Sequence, residues 1–164
     1  ENARTVSISG AVTSSATCTA GAWSVSLDVS GVSDGAFTIY ADHTDAAGNA
    51  ATQASRAFAK DVGASTVAIT APASGSFVLP GNQSAFAVSG TCSENTRIVN
   101  ITATGMAATT ATCTAGAWSR SLDLSAASDG AITVSVTHDD AAGNASSDSE
   151  VYSKDTGIPT VAIT

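Results

Sequence analysis

Apolar and polar residues alternate in short runs along the chain, and clusters of glycine, serine, aspartate and asparagine separate the runs. Alternation with a period of two places successive side chains on opposite faces of a strand, so each run predicts a half-buried β-strand. In the second half of the sequence the first such run is residues 66–70, which Pro72 and the Ser74, Gly75, Ser76 stretch bring to an end. Phe86 and Val88 share one face of a strand that ends near Cys92, Val99 and Ile101 point inward on the next, and Gly105 and Met106 bend the chain before the strand carrying Cys113. Trp118, Leu122 and Leu124 then line one side of a strand whose other side is Ser119, Ser121 and Asp123. Ile132, Val134 and Val136 alternate with Thr133, Ser135 and Thr137, residues 140–144 predict a turn, and the last strand runs through Val151 and Tyr152. No useful window has a helical period. About seven or eight strands in roughly 95 residues, with turn signals every 8 to 12 or so, predict an immunoglobulin-like sandwich. The expected fold class is all-β, as tandem immunoglobulin-like β-sandwiches.

The plural rests on a repeat. Residues 16–24 and 111–119 are the same nine-residue sequence, ATCTAGAWS, and the steps from Cys18 to Cys113 and from Trp23 to Trp118 are both 95 residues. Solenoid units repeat every 20 to 50 residues or so, which makes each copy here a small domain in its own right. Val6 and Ile8, then Trp23, Val25, Leu27 and Val29, then Phe37, Ile39 and Ala41, then Phe58 supply the matching core positions of the first copy. Arg120 stands where Val25 stands on the tryptophan face, which predicts a sheet margin where the stem packs and the guanidinium reaches water. The repeats set expected boundaries: 1–61 an incomplete repeat lacking its first two strands, 62–65 a linker, 66–155 a complete repeat, 156–159 a second linker, and 160–164 the first strand of a following repeat. Pro159 is expected to stiffen the second joint.

Composition narrows the partners. Charged residues are 12% of the chain, and 6 Lys+Arg against 14 Asp+Glu leave a net charge of -8, so a phosphate backbone is repelled and nucleic acid is not an expected partner. No apolar run approaches the roughly 20 residues that span a bilayer, so direct membrane insertion is not expected either. Three cysteines in two repeats leave one over. Cys92 and Cys113 fall in the second repeat and are the candidate disulfide, with a pair of buried free thiols as the alternative. Aligning residues 1–4 on residues 94–97 puts the partner of Cys18 upstream of Glu1, as in a piece of a longer chain. A disulfide implies an oxidising, extracellular compartment.

The candidate chemistry is sparse. The sequence Asp-Ala-Ala-Gly-Asn occurs at 45–49 and 140–144 and reads as a hairpin turn, in which Gly and Asn accept positive φ and the Asp carboxylate bonds nearby N–H groups. Its carboxylates, with Asp61 and Asp155 in the linkers, are the candidate metal ligands: Asp45, Asp61, Asp140 and Asp155 would hold calcium at the inter-domain joints, although calcium takes six to eight or so oxygens. No cofactor is required by any other feature. His43 and His138 precede the turn at equivalent positions and are assigned to the hairpin shoulder, since no strained nucleophile turn or oxyanion site accompanies them. An enzyme is therefore not expected. Asn82, Asn100 and Asn144 match the glycosylation acceptor pattern, and Lys60 and Lys154 are candidates for an isopeptide staple.

Gly116-Ala117-Trp118-Ser119, Ser128-Asp129-Gly130, Asp140-Ala141-Ala142-Gly143-Asn144 and Lys154-Asp155-Thr156-Gly157-Ile158-Pro159-Thr160-Val161 together resemble the tandem immunoglobulin-like repeats of large secreted bacterial adhesins and biofilm-associated surface proteins. Counterparts in the first repeat extend the resemblance over nearly the whole chain. It implies a structural stalk or fibre segment that spaces and transmits force, outside the cell, with calcium-responsive joints and neighbouring repeats of the same chain as partners. The cysteines depart from that pattern. The rival expectation is a binding module whose loops recognise a glycan or protein on another cell, and Tyr40 is the only aromatic that the alternation turns outward. Residues 160–164 also allow self-association by strand addition. The distal ligand is not legible.

Overall fold

A computed structural model describes residues 2–163. Glu1, the first residue of the expected incomplete repeat, and Thr164, the last of the expected following strand, lie outside the described residues. The chain divides into two compact units, 1–62 and 63–164. The described residues contain twelve strands, β1 to β12, with one short 3-10 turn and no helix long and apolar enough to cross a membrane.

The second unit is a sandwich of two sheets. One holds β5 (Val67–Ala71), β7 (Phe86–Cys92) and β10 (Ala117–Leu122) in the order β10-β7-β5. The other has the order β6-β12-β11-β8-β9 and contains β6 (Phe77–Val78), β8 (Ile98–Ala103), β9 (Met106–Thr112), β11 (Gly130–Asp139) and β12 (Ala145–Lys154). The alternation predicts seven of these eight strands and misses β6. The chain changes sheets between β5 and β6, where the Ala71–Pro72 peptide is cis. Inward positions fill one core: Phe86 and Val88 from β7, Val99 and Ile101 from β8, Trp118 and Leu122 from β10, Ile132, Val134 and Val136 from β11, and Tyr152 from β12. Phe86 meets the Tyr152 ring edge-on at 5.0 Å between centroids. Arg120 shares the period of Trp118 and Leu122 but is exposed, because β10 is an edge strand.

Gly90 fixes the spacing of β5 and β7. A Cβ there would lie 1.7 Å from the Ala68 carbonyl oxygen and 2.8 Å from Trp118 Nε1. The missing side chain lets the indole slide beneath the sheet and donate to both Ala68 O and Thr91 O at 3.2 Å. A buried indole N–H thus has its partners, as burial requires.

The first unit has four strands, β1 (Thr5–Gly10), β2 (Ser14–Thr17), β3 (Gly35–His43) and β4 (Ala54–Lys60), in a single sheet ordered β2-β1-β3-β4. Matched through the repeat, this is the β9-β8-β11-β12 face of the second unit. Residues 23–29 repeat the β10 pattern, yet they form no strand among the described residues. A strand exists by its ladder, and among the described residues of the first unit no strand corresponds to β7 to supply one. Val6, Ile8, Cys18 and Ile39 are buried, Val25, Leu27 and Phe37 half-buried, and Trp23 and Phe58 are exposed, at 44% and 43%. Trp23, Phe58 and Phe77 join Tyr40 as exposed aromatics, correcting the expectation that Tyr40 alone faces outward.

Residues 160–163 form no strand, although they repeat residues 66–69, which include the start of β5.

Candidate functional site

The repeated nine-residue stretch is a tight two-residue turn. Ala115 and Gly116 both have positive φ, 52° and 78°, while Thr114 and Ala117 bond each other at 2.8 and 3.1 Å. Ala20 and Gly21 repeat this at φ 50° and 79°. Alanine rarely takes the left-handed region, and the surrounding bonds hold it there. Asn95 Oδ1 accepts from Gly116 N at 2.9 Å, and Asn2 Oδ1 accepts from Gly21 N at 3.0 Å.

The next turn is tied to the same corner through Arg97. Its guanidinium donates to the carbonyl oxygens of Asp139 at 3.0 Å and Asp140 at 2.6 Å, and Arg4 reaches the Asp45 oxygen at 2.8 Å in the first unit. Within the turn, Asp140 Oδ1 accepts from Ala142 N and Asn144 N, both at 2.8 Å, and Oδ2 accepts from Asn144 Nδ2 at 2.8 Å. The Asn144 amide first, then the backbone N–H groups, hold the Asp140 carboxyl below its ordinary range against the opposing effect of burial. The Asn49 side chain and backbone do the same for Asp45.

His138 is fully buried beside this turn. Its Nε2 faces the Glu94 N–H at 3.2 Å and therefore accepts, so Nδ1 carries the proton and donates to Ile98 O at 3.0 Å. Ser65, where the chain leads into β5, donates to His138 O at 2.8 Å and lies 3.0 Å from Ser146 Oγ. The Cys92–Cys113 disulfide, with Cα atoms 6.0 Å apart, ties β7 of one sheet to the end of β9 in the other beside Asn95. Two turns, one disulfide, one arginine and one neutral imidazole thus lock the end at which the chain arrives.

The opposite end locks the exit. Lys154 is buried, and its Nζ donates to the carbonyl oxygens of Leu124 at 2.9 Å, Ser125 at 3.3 Å and Ala127 at 2.5 Å. Lys60 does likewise with Ser30 at 2.9 Å and Val32 at 2.6 Å. Both lysines face backbone oxygens as loop clasps, and these contacts replace the isopeptide expectation. Asp129 accepts from Thr156 N at 3.1 Å and from its hydroxyl, and Asp34 accepts from Val62 N at 3.2 Å.

The candidate metal ligands are not gathered. Asp45 and Asp140 are occupied inside their own turns, Asp155 Oδ1 accepts from Gly157 N at 2.9 Å, and Asp61 lies in the stretch after β4. Among the described residues no group of three or more His, Cys, Asp or Glu side chains is placed to hold a metal ion. Cys18 is buried and is in no disulfide among the described residues. Asn82 and Asn144 use their amides in local turns, at 2.7 Å from Leu79 N and 2.8 Å from Asp140. Arg97, Asn95, Gly90 and the cage of Lys154 escaped the sequence reading. The recurrence of Asn and Arg two residues apart, at 2 and 4 and at 95 and 97, was the available signal.

The second unit thus has the fold of an immunoglobulin-like β-sandwich clasped at both ends, and the first repeats one of its sheets. No protein-family model matches the chain, and no curated protein matches it significantly. Among solved structures it is similar to a tetra-tandem repeat in the extending region of a large adhesion protein, at 28% identity and TM-score 0.52, covering 94% of this chain and 42% of that one. It is also similar to a Ca2+-stabilized adhesin described as helping an Antarctic bacterium reach out and bind ice, at 26% identity and TM-score 0.51, covering 96% of this chain and 41% of that one. The fibronectin(III)-like modules of CbhA from Clostridium thermocellum share the fold, at 19% identity and TM-score 0.54, covering 94% of this chain and 79% of that one. The structural neighbours are therefore tandem repeat domains of large bacterial adhesins and fibronectin-like modules, and the chain spans less than half of the first two.

Proposed function

We propose that this chain is a spacer segment of an exported bacterial surface adhesin, carrying tension from module to module rather than recognising a ligand. One observation carries the reading: the second unit receives its chain and releases it at opposite ends. Ser65 is held beside His138, close to the last residue of β11, and Thr156 is held by Asp129, just before its first. Ten residues of strand separate those points by about 30 Å. Tension therefore runs along the strands. β6, which follows the incoming strand, pairs parallel with the outgoing β12, Ser153 opposite Phe77 and Lys154 opposite Val78. Pulling the ends apart slides this pair, so its bonds resist together instead of opening one at a time.

The similarity to an extending region supports a structural rather than catalytic task, and a place outside the cytoplasm agrees with the disulfide. One neighbour is described as Ca2+-stabilized. Calcium at the joints of this chain would draw on Asp61 and Asp155, which follow β4 and β12.

Pulling single molecules of the whole chain by its ends tests the reading. The second unit is expected to yield in one abrupt step, and reduction is expected to lengthen that step by about 70 Å, the reach of the 21-residue span closed by the disulfide. Gradual extension with no step would contradict a load-bearing role. Specific capture of glycans on an array by the same chain would favour the binding-module reading.

A further inference from the structure

We propose that the inward polar positions of β12 are a side-chain clamp, in which Ser146, Asp148 and Tyr152 hold the incoming chain of the second unit against the outgoing one under tension. The inference rests on the spacer reading and names the residues that would carry the load.

β12 departs from the alternation of the other strands. Inward positions of a strand are ordinarily apolar, yet from the entry end of β12 they are Ser146, Asp148 and Glu150, all half-buried, before the buried Tyr152 and Lys154. Across from them lies β5, which belongs to the other sheet and has its ladder with β7. Sheets packed face to face stand about 10 Å apart, too far for backbone bonds. Side chains span the gap instead. Ser146 Oγ lies 3.0 Å from Ser65 Oγ, Asp148 Oδ2 accepts from Ile69 N at 2.7 Å, and the Tyr152 hydroxyl donates to Pro72 O at 3.2 Å. Backbone bonds take over once the chain has changed sheets. Gly75 N donates to Val151 O at 2.8 Å, Ser153 N to Ser76 O at 3.1 Å and Asp155 N to Val78 O at 3.0 Å.

Residues 65–78 therefore run beside residues 146–155 in the same direction, tied by side chains first and by main chain afterwards. Pulling the two segments apart along their length shears all these ties together. Asp148 makes the strongest of them, because a hydrogen bond to an ionised group is roughly twice as strong as a neutral one.

The sheet itself does not demand these groups. By register on the neighbouring strand, Ala54 of the first unit corresponds to Asp148 and Phe58 to Tyr152. The β3–β4 ladder forms with a methyl group and a bare ring at those places. The carboxylate and the hydroxyl are thus additions of the second repeat to a ladder that forms without them. An inward carboxylate can also serve only to guard an open sheet edge against strand addition. That role requires no resistance to load, and the two roles separate by experiment.

The test is force-clamp pulling of the whole chain by its ends, comparing the wild type with Asp148→Ala, Asp148→Asn, Tyr152→Phe and the core change Val99→Ala, with urea unfolding of each. At a fixed force the second unit is expected to unfold about tenfold faster in Asp148→Ala and about threefold faster in Tyr152→Phe, as for losing a charged and a neutral hydrogen bond. Asp148→Asn keeps an acceptor and should recover part of the loss. Val99→Ala lies on β8, outside both segments, and should speed unfolding under force less than its loss of stability in urea implies. Tyr152→Phe keeps its ring against Phe86, so it decides the question where Asp148→Ala does not fold. Rates under force that track urea stability equally in all variants would overturn the clamp. Self-association of Asp148→Ala with an unchanged rate would overturn it in favour of a guarded edge. Gradual extension of the wild type would end the spacer reading and the clamp together, whereas a wild-type step that these variants leave unchanged would end the clamp alone.

Discussion

Trp23 and Trp118 sit in identical nine-residue sequences, and the environment around each decides what it contributes. Trp118 is enclosed, with two carbonyl partners for its N–H, whereas Trp23 covers a groove and stays 44% exposed. Replacing Trp118 with alanine is expected to cost about 3–5 kcal/mol, the range for deleting a large buried side chain. Trp23→Ala should cost under about 1 kcal/mol, as for a residue without a closed core around it. Urea unfolding of the two variants, followed separately for each unit by hydrogen exchange, measures the difference. Sequence patterning put both tryptophans on an inward face, and for Trp118 that was enough. For Trp23 the alternation was right about direction and silent about enclosure, because enclosure depends on pairing with a strand like β7 and not on the local pattern. The long-range side-chain bonds were illegible for a different reason. Arg97 meets carbonyls more than 40 residues away, and Lys154 closes on a loop about 30 residues before it. Neither contact leaves a period or a local motif.

Elements with a strong local rule were read correctly. β7 and β11 alternate cleanly, and the Asp-Ala-Ala-Gly-Asn turn forms as its residues dictate. β6 was missed because two residues cannot display a period, and its identity comes only from pairing with β12. The turn also gives the molecule an acid sensitivity. Asp140 titrates below its ordinary 3.8 in the folded chain, because the Asn144 amide and the turn N–H groups bond its charged form. As the pH falls below about 4, the unfolded chain takes up this proton before the folded one does, and the stabilisation present at neutral pH is progressively lost. Asp140→Asn should therefore flatten the decline in melting temperature between about pH 4 and pH 2 while lowering stability at pH 7. An unchanged acid slope would show that the carboxylate is not coupled to folding.

At the scale of the whole molecule, the two repeats differ in how much of the sandwich their described residues form. The second unit is a closed sandwich with both sheets present, a disulfide between them and a clasp at each end. The first unit repeats one of those sheets, with its turns and lysine clasp, and leaves its apolar face partly open. Charge made nucleic acid an unexpected partner and alternation predicted a β-protein, yet neither carries anything about which face is covered. The proposed spacer role rests on the closed unit, whose sheets are joined by a disulfide and whose chain is anchored at both ends. Native-state hydrogen exchange on the intact chain compares the two units within one sample. Amides of β7, β10 and β11 should exchange together and slowly, only through global unfolding of the second unit, and should speed up when Cys92–Cys113 is reduced, while residues 23–29 exchange fast throughout. Slow exchange at 23–29 equal to that of β10, or no response of β7 and β10 to reduction, would contradict a closed, disulfide-locked module beside an open one.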